Sequence, residues 1–142
     1  MSPRKTIARK RARHAKQPSS RSILVVDDEN GTVDVLIAVL RDAGFDASGA
    51  SNGRDALAAL AHFPSPIVLL DFMMPVLDGA ETLRAIRKDS SLSQVRVIMM
   101  SGLSETMVKR QCRGYAAFLR KPFSLEELLR TVRSVPSIKS PR

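Results

Sequence analysis

The stretch Ile67-Val68-Leu69-Leu70-Asp71-Phe72-Met73-Met74-Pro75-Val76-Leu77-Asp78-Gly79 decides how this chain is read. Four apolar residues stop on an aspartate, and a loop closing on Asp78-Gly79 follows. A run so short and so apolar reads as a strand buried on both faces. The same pattern recurs three times. Ile23-Leu24-Val25-Val26 stops on Asp27-Asp28, Val97 to Met100 stops on Ser101, and Ala116-Ala117-Phe118-Leu119-Arg120 stops on Lys121-Pro122. Helical patterns separate these runs, so the natural assembly is an all-parallel sheet whose strands all end at one edge. Ligands of open α/β sheets bind outside that carboxyl edge, where three carboxylates, one hydroxyl and one ammonium would gather.

The intervening segments support the alternation. Over Asn30 to Ala43, Val33, Leu36, Ile37 and Leu40 share one helical face and Gly44 stops the helix. A short second strand fits Phe45 to Ala50. Asn52, with Asp55 three residues on, caps a helix running to about Ala61, which Pro64-Ser65-Pro66 breaks. A third helix spans roughly Gly79 to Lys88, the fourth strand Arg96 to Met100, a fourth helix Ser104 to Gly114, and the fifth strand Tyr115 to Arg120. Ser124 with Glu127 reads as a capping box, and Phe123 is placed to staple onto Leu128. Leu125, Leu128, Leu129, Val132 and Val135 form the apolar stripe of the fifth helix.

Composition bounds the rest. The 142 residues suit one domain with one core, and 44% hydrophobic content is ordinary for a globule. No apolar stretch reaches the length of a membrane span, and no apolar segment follows the basic amino terminus as a secretory signal requires. With the single Cys112 this points to a reducing, cytoplasmic setting. Cys112, without His or Cys nearby, is expected to be a helix-surface or half-buried thiol. The net charge of +9 is concentrated in residues 1 to 22, which hold eight Lys and Arg and no acid, while the remainder carries only +1. Residues 1–21 are expected to be a disordered basic arm, 22–135 the folded domain and 136–142 a short polar tail with no output domain.

Taken together, Asp27-Asp28, Asp71 with its Met74-Pro75 and Asp78-Gly79 turn, Ser101-Gly102 and Lys121-Pro122-Phe123 closely resemble the response regulator receiver domain of two-component signalling. The match covers about Ser22 to Val135, with all five polar positions in the family's order. The resemblance implies an α/β, flavodoxin-like, doubly wound five-stranded parallel sheet, (βα)5, in a stand-alone, chemotaxis-type receiver. It implies phosphorylation on Asp71 by a phosphohistidine of a histidine kinase or phosphotransfer protein, with Mg²⁺ held by Asp28, Asp71 and the Met73 carbonyl directly and by Asp27 through water. Lys121 and Ser101 would bind the phosphoryl oxygens, Ser101 and Phe118 would form the switch, and the fourth helix, fifth strand and fifth helix would be the responsive face. Lys121-Pro122 would be cis, as in the family. Such a domain is a phosphoacceptor that catalyses only its own phosphorylation and dephosphorylation, and it acts on a downstream protein target that the sequence does not name.

The chemistry stands without the family. Two carboxylates about 4 Å apart repel by roughly 4 kcal/mol where the effective dielectric is about 20, so three together call for a cation. All-oxygen ligands suit Mg²⁺, and phosphoryl transfer rests on positioning and charge neutralisation. Each residue alone has a plainer role: a capping aspartate, a turn serine, a surface lysine, a core phenylalanine. A haloacid-dehalogenase-like phosphatase also combines an aspartate nucleophile with Ser, Lys and an acidic pair. It needs a second aspartate two residues after the nucleophile to protonate the leaving group, and that position here is Met73. Met73 and Leu103, two residues beyond Asp71 and Ser101, flank the path of a water attacking an acyl phosphate, and neither can orient it. A competing reading is a nucleic-acid-associated adaptor, in which residues 1–21 bind phosphates weakly and without sequence preference, gated by the receiver.

Overall fold

In a computed structural model the protein is described over residues 21–135; the basic arm and polar tail read from the sequence otherwise lie outside the described residues. Strands and helices alternate as β1 (Ser22–Val26), α1 (Asn30–Asp42), β2 (Asp46–Ala50), α2 (Gly53–His62), β3 (Ile67–Asp71), α3 (Gly79–Lys88), β4 (Arg96–Ser101), α4 (Glu105–Lys109), β5 (Ala117–Arg120) and α5 (Leu125–Ser134). A 3₁₀ turn at Ser90–Leu92 precedes β4. The five strands pair in parallel in the order β2-β1-β3-β4-β5. No helix among the described residues is long and apolar enough to cross a membrane.

The central strands explain why the sheet is covered on both sides. Leu24, Val26, Val68, Leu70, Val97 and Met99 pack with Ala56 and Leu60 of α2, Leu83 and Ile86 of α3, and Val108 of α4. The alternate residues Ile23, Val25, Ile67, Leu69, Ile98 and Met100 pack with Val33, Leu36 and Leu40 of α1 and Leu128 and Val132 of α5. Alternation along each strand therefore builds two half-cores from continuous apolar runs. Each fully buried aliphatic side chain contributes about 1.5–3 kcal/mol, which makes these runs the main source of stability.

Local punctuation matches the sequence in several places. Gly44 has φ +95° just past α1, and Asn52 accepts the Asp55 amide at the start of α2. The Lys121-Pro122 peptide is cis. Other boundaries differ from expectation. The fourth helix is only five residues long; beyond it Arg84 donates to the Gln111 carbonyl and Arg87 to the Gly114 carbonyl, while Arg87 also reaches the Val95 carbonyl ahead of β4. The fifth strand starts at Ala117 rather than Tyr115. Ser124 accepts the Glu127 amide, but the Glu127 carboxylate meets the Ser124 hydroxyl instead of its backbone amide, so only half of the box forms. The complete capping box belongs to Asp78 and Glu81. Leu125, expected in the core stripe, is half exposed in the first turn of α5, and Cys112, expected as a helix-surface or half-buried thiol, is buried in the half-core with Leu83, Ile86 and Val108.

Candidate phosphoacceptor site

All five polar residues singled out in the sequence meet at the carboxyl edge. Asp71 ends β3 directly beside Met100 of β4, and Ser101 ends β4 beside Arg120 of β5, one residue before Lys121. Backbone bonds fix these ends. Phe72 N–H donates to the Met100 carbonyl at 2.8 Å, Lys121 N–H to the Ser101 carbonyl at 2.8 Å, and Asp27 N–H to the Ala50 carbonyl at 3.2 Å. Gly79 closes the loop after Asp71 with an N–H bond to the Phe72 carbonyl, and a Cβ at this position would stand 2.5 Å from the Asp71 carbonyl oxygen. Only glycine lets α3 begin so close behind the aspartate.

The carboxylates of Asp27, Asp28 and Asp71 each offer an oxygen within 4.8 Å of the others. Asp27 and Asp71 are buried and Asp28 is exposed. Lys121 spans the two buried ones: its ammonium donates to Asp27 Oδ2 at 2.8 Å and lies 3.2 Å from Asp71 Oδ1. The second Asp27 oxygen, Oδ1, accepts the Glu29 amide at 3.0 Å.

The charges are unevenly satisfied. Burial and the neighbouring charge of Asp27 push the Asp71 carboxyl up to about 6, against the opposing attraction of Lys121. Burial alone would lower Lys121, but its bond to Asp27 and the charges of Asp71 and Asp27 hold it above the ordinary lysine value. Four charged groups thus carry three negative charges and one positive. The donors are hard oxygens, two of them in a partly desolvated cleft, and this set fits a divalent cation of the Mg²⁺ type.

Ser101 is buried, and its Oγ accepts the Leu103 amide at 3.0 Å. Phe118, partly buried on β5, packs against the α2–α3–α4 half-core, with Tyr115 at 6.3 Å between ring centroids. The Tyr115 hydroxyl donates to Glu105 Oε2 at 2.9 Å, and burial together with that bond pushes its phenol up to about 12. This tie between the first residue of α4 and the chain two residues before β5 has no signature in the sequence, because ten residues separate its partners and most of them follow no regular period. The Asp78–Glu81 box, in contrast, was open to recognition from its Asp-x-x-Glu spacing. Met73 is 64% exposed; with Leu103, Phe72, Met74, Pro75, Asp78 and Gln111 it lines a largely apolar hollow of about 430 Å³ beside the cleft. Val76, in the same loop, holds φ +72°.

The response regulator receiver domain model matches residues 23–133, and the chain belongs to that family. It is 36% identical to the protein PilG of Pseudomonas aeruginosa over 124 residues, covering 85% of this chain and 92% of PilG. It is 35% identical over 114 residues to the DNA-binding response regulator MtrA of Mycobacterium tuberculosis, covering 79% of this chain but 49% of MtrA, so it spans about half the length of that relative. Among solved structures it resembles the chemotaxis protein CheY4 of Vibrio cholerae, with TM-score 0.78, 29% identity, and coverage of 83% of this chain and all of the other. TrrA of Thermotoga maritima, solved in complex with Mg²⁺ and BeF, superposes with TM-score 0.74 at 28% identity over 82% of this chain and 99% of TrrA. Receiver domains are phosphoacceptors of two-component phosphorelays, and the flavodoxin-like (βα)5 fold read from the sequence is the one observed.

Proposed function

We propose that Asp71 accepts a phosphoryl group from a phosphohistidine on a histidine kinase or phosphotransfer protein. The observation that carries this reading is the meeting of Asp71 with Asp27, Asp28 and Lys121, a carboxylate in a cleft whose single ammonium leaves negative charge over for a divalent cation to neutralise. An Asp71 oxygen attacks phosphorus as the P–N bond breaks, and the imidazole leaves with the electron pair and takes a proton. Lys121, already 3.2 Å from Asp71, neutralises a phosphoryl oxygen, and the Ser101 hydroxyl donates to another. Asp28, Asp71 and the Met73 carbonyl would hold Mg²⁺, with Asp27, whose oxygens are already bonded to Lys121 and Glu29, contributing through water. When bound, the ion supplies positive charge to the phosphoryl oxygens.

In this reading the Ser101 hydroxyl, whose oxygen accepts the Leu103 amide, turns its proton to a phosphoryl oxygen, and its shift frees space for the Phe118 ring. The α4–β5–α5 face then changes its affinity for a downstream protein. Intact-mass measurement with acetyl phosphate tests the acceptor. The wild type gains one hydroxylamine-sensitive phosphoryl group only with Mg²⁺, and Asp71→Asn gains none. The same labelled mass on Asp71→Asn would assign the acceptor elsewhere.

A further inference from the structure

Helix α2 carries none of the acceptor-site residues, yet its first residue, Gly53, is buried against the loop that follows Asp71. A Cβ at Gly53 would collide with Thr82 Oγ1 of α3 and stand 2.7 Å from the Leu77 carbonyl oxygen and 3.0 Å from Leu77 Cβ. Gly31, in the first turn of α1, is the opposite case, since a Cβ there would meet nothing. The loop itself needs a wall. Leu77 N–H donates to the Pro75 carbonyl at 2.8 Å, and with Val76 at φ +72° this closes a three-residue γ-turn in its rarer, more strained form. The Val76 side chain is exposed and holds nothing down. Strain of this kind persists only where neighbours over-determine the backbone. On the α3 side the Thr82 hydroxyl donates to the Asp78 carbonyl at 2.7 Å, Asp78 and Glu81 complete their capping box, and Gly79 N–H binds the Phe72 carbonyl. Those bonds fix the chain after the turn, and none of them reaches Leu77. Gly53 supplies the contact there.

We infer that Gly53 is a positioning residue for the acceptor loop: by letting α2 lie directly against Leu77 and Thr82, it sets the strained turn and, through it, the Met73 carbonyl that the function proposed above gives to Mg²⁺. The inference rests on that reading for the metal alone; the contact between α2 and the loop stands without it. A methyl group at position 53 meets two neighbours that yield only at a cost. One is the fully buried Thr82 hydroxyl, held by its bond to Asp78, and the other is a backbone carbonyl. Either α2 lifts from the half-core, where Ala56 and Leu60 are fully buried, or the exposed turn gives way, and the turn has less packing to lose. Because Gly79 is pinned to Phe72, a displacement at Leu77 travels back toward Met73 rather than on into α3.

The test compares full-length wild type with Gly53→Ala, with Gly31→Ala, and with Val132→Ala, a destabilised control whose packing lies in the other half-core. In EDTA, Gly53→Ala is expected to shift the amide resonances of Met73, Met74 and residues 76–79, and Gly31→Ala to leave them in place. Titration with Mg²⁺ should then give severalfold weaker binding to Gly53→Ala, while both controls bind as the wild type does. Labelling of Asp71 by acetyl phosphate should slow at subsaturating Mg²⁺ and recover at saturation, the mark of a displaced ligand rather than a damaged acceptor. Thr82→Val puts a methyl in place of the hydroxyl at the same contact; it is expected to shift the same amides and carries the test should Gly53→Ala fail to fold. Unmoved loop amides, unchanged Mg²⁺ affinity, or a loss that Val132→Ala reproduces would overturn the inference. A wild type that takes up no Mg²⁺ would instead remove the metal assignment proposed above, and the amides in EDTA would still decide whether Gly53 holds the loop.

Discussion

Lys121 lies nearer to Asp27, at 2.8 Å, than to the carboxylate it is expected to assist. Its 3.2 Å separation from Asp71 makes it a bridge rather than a partner of either. Replacing it leaves two buried carboxylates facing each other, and removing one member of such a cluster costs about 3 kcal/mol. Lys121→Met should therefore lower the denaturant midpoint in EDTA, and Mg²⁺ should restore a larger share of stability to the variant than it adds to the wild type. Equal gains from Mg²⁺ in the two proteins would show that the ammonium does not screen the carboxylates.

Asp71 gives the pH dependence of the metal-free protein. Burial pushes its carboxyl from the ordinary 3.8 up to about 6, so the folded chain holds more protons between those values. The associated stability is fully present below the lower value and is lost as pH rises through the upper one, a difference of about 3 kcal/mol at most. Asp71→Asn should be more stable than wild type in EDTA at neutral pH, and the advantage should disappear toward about pH 4. Chemical denaturation across a pH series measures this; a constant advantage would mean that the variant acts through something other than charge.

Ser101→Ala removes the acceptor of the Leu103 amide and should cost about 1 kcal/mol. Asp71 should still be phosphorylated. The amide shifts over residues 104–134 that accompany phosphorylation of the wild type should be lost, and their persistence would remove Ser101 from the relay.

On α1, Val35 is 56% exposed and Thr32 and Val39, both part-buried, extend a stripe from it, Val39 also packing against the half-core beneath α1 and α5. We expect a donor helix to cover this stripe. Val35→Asp should slow phosphotransfer from the cognate protein and leave acetyl phosphate labelling unchanged; equal slowing of both would indicate a damaged fold.

Val76 is a β-branched residue at φ +72°, with its side chain 68% exposed. It loses little packing on replacement, and the left-handed conformation costs an ordinary side chain about 1–2 kcal/mol. Val76→Asn should raise the thermal midpoint, while Val76→Gly should gain less because glycine also gains freedom when unfolded. A lower midpoint for Val76→Asn would show that the valine methyls hold the loop.

Much of this was legible because each catalytic candidate ends an apolar run. The runs Ile23–Val26, Ile67–Leu70 and Val97–Met100 fix the strands, the parallel alternation fixes their common edge, and Asp27, Asp28, Asp71, Ser101 and Lys121 follow. What failed lies where the periodicity is weak and tertiary bonds decide. Past Lys109 one more helical bond forms, from the Cys112 amide to the Val108 carbonyl, and the chain then leaves the helix where Arg84 and Arg87, 27 residues earlier, bind the carbonyls at Gln111 and Gly114. Leu125 fits a helical stripe by spacing alone and faces outward because α5 has barely begun there.

Those two arginines also restrict how the neighbouring segment can travel. They rise from the helix that starts at Gly79, immediately behind the loop that follows Asp71; besides the Val95 carbonyl ahead of β4, they grip the Gln111 and Gly114 carbonyls beyond the last turn of α4. Any displacement that spares these bonds must pivot about the Gln111–Gly114 end, so that Ser104 sweeps a wider arc than Val108. The helix next to the proposed acceptor would then swing like a door with its hinge on the far jamb.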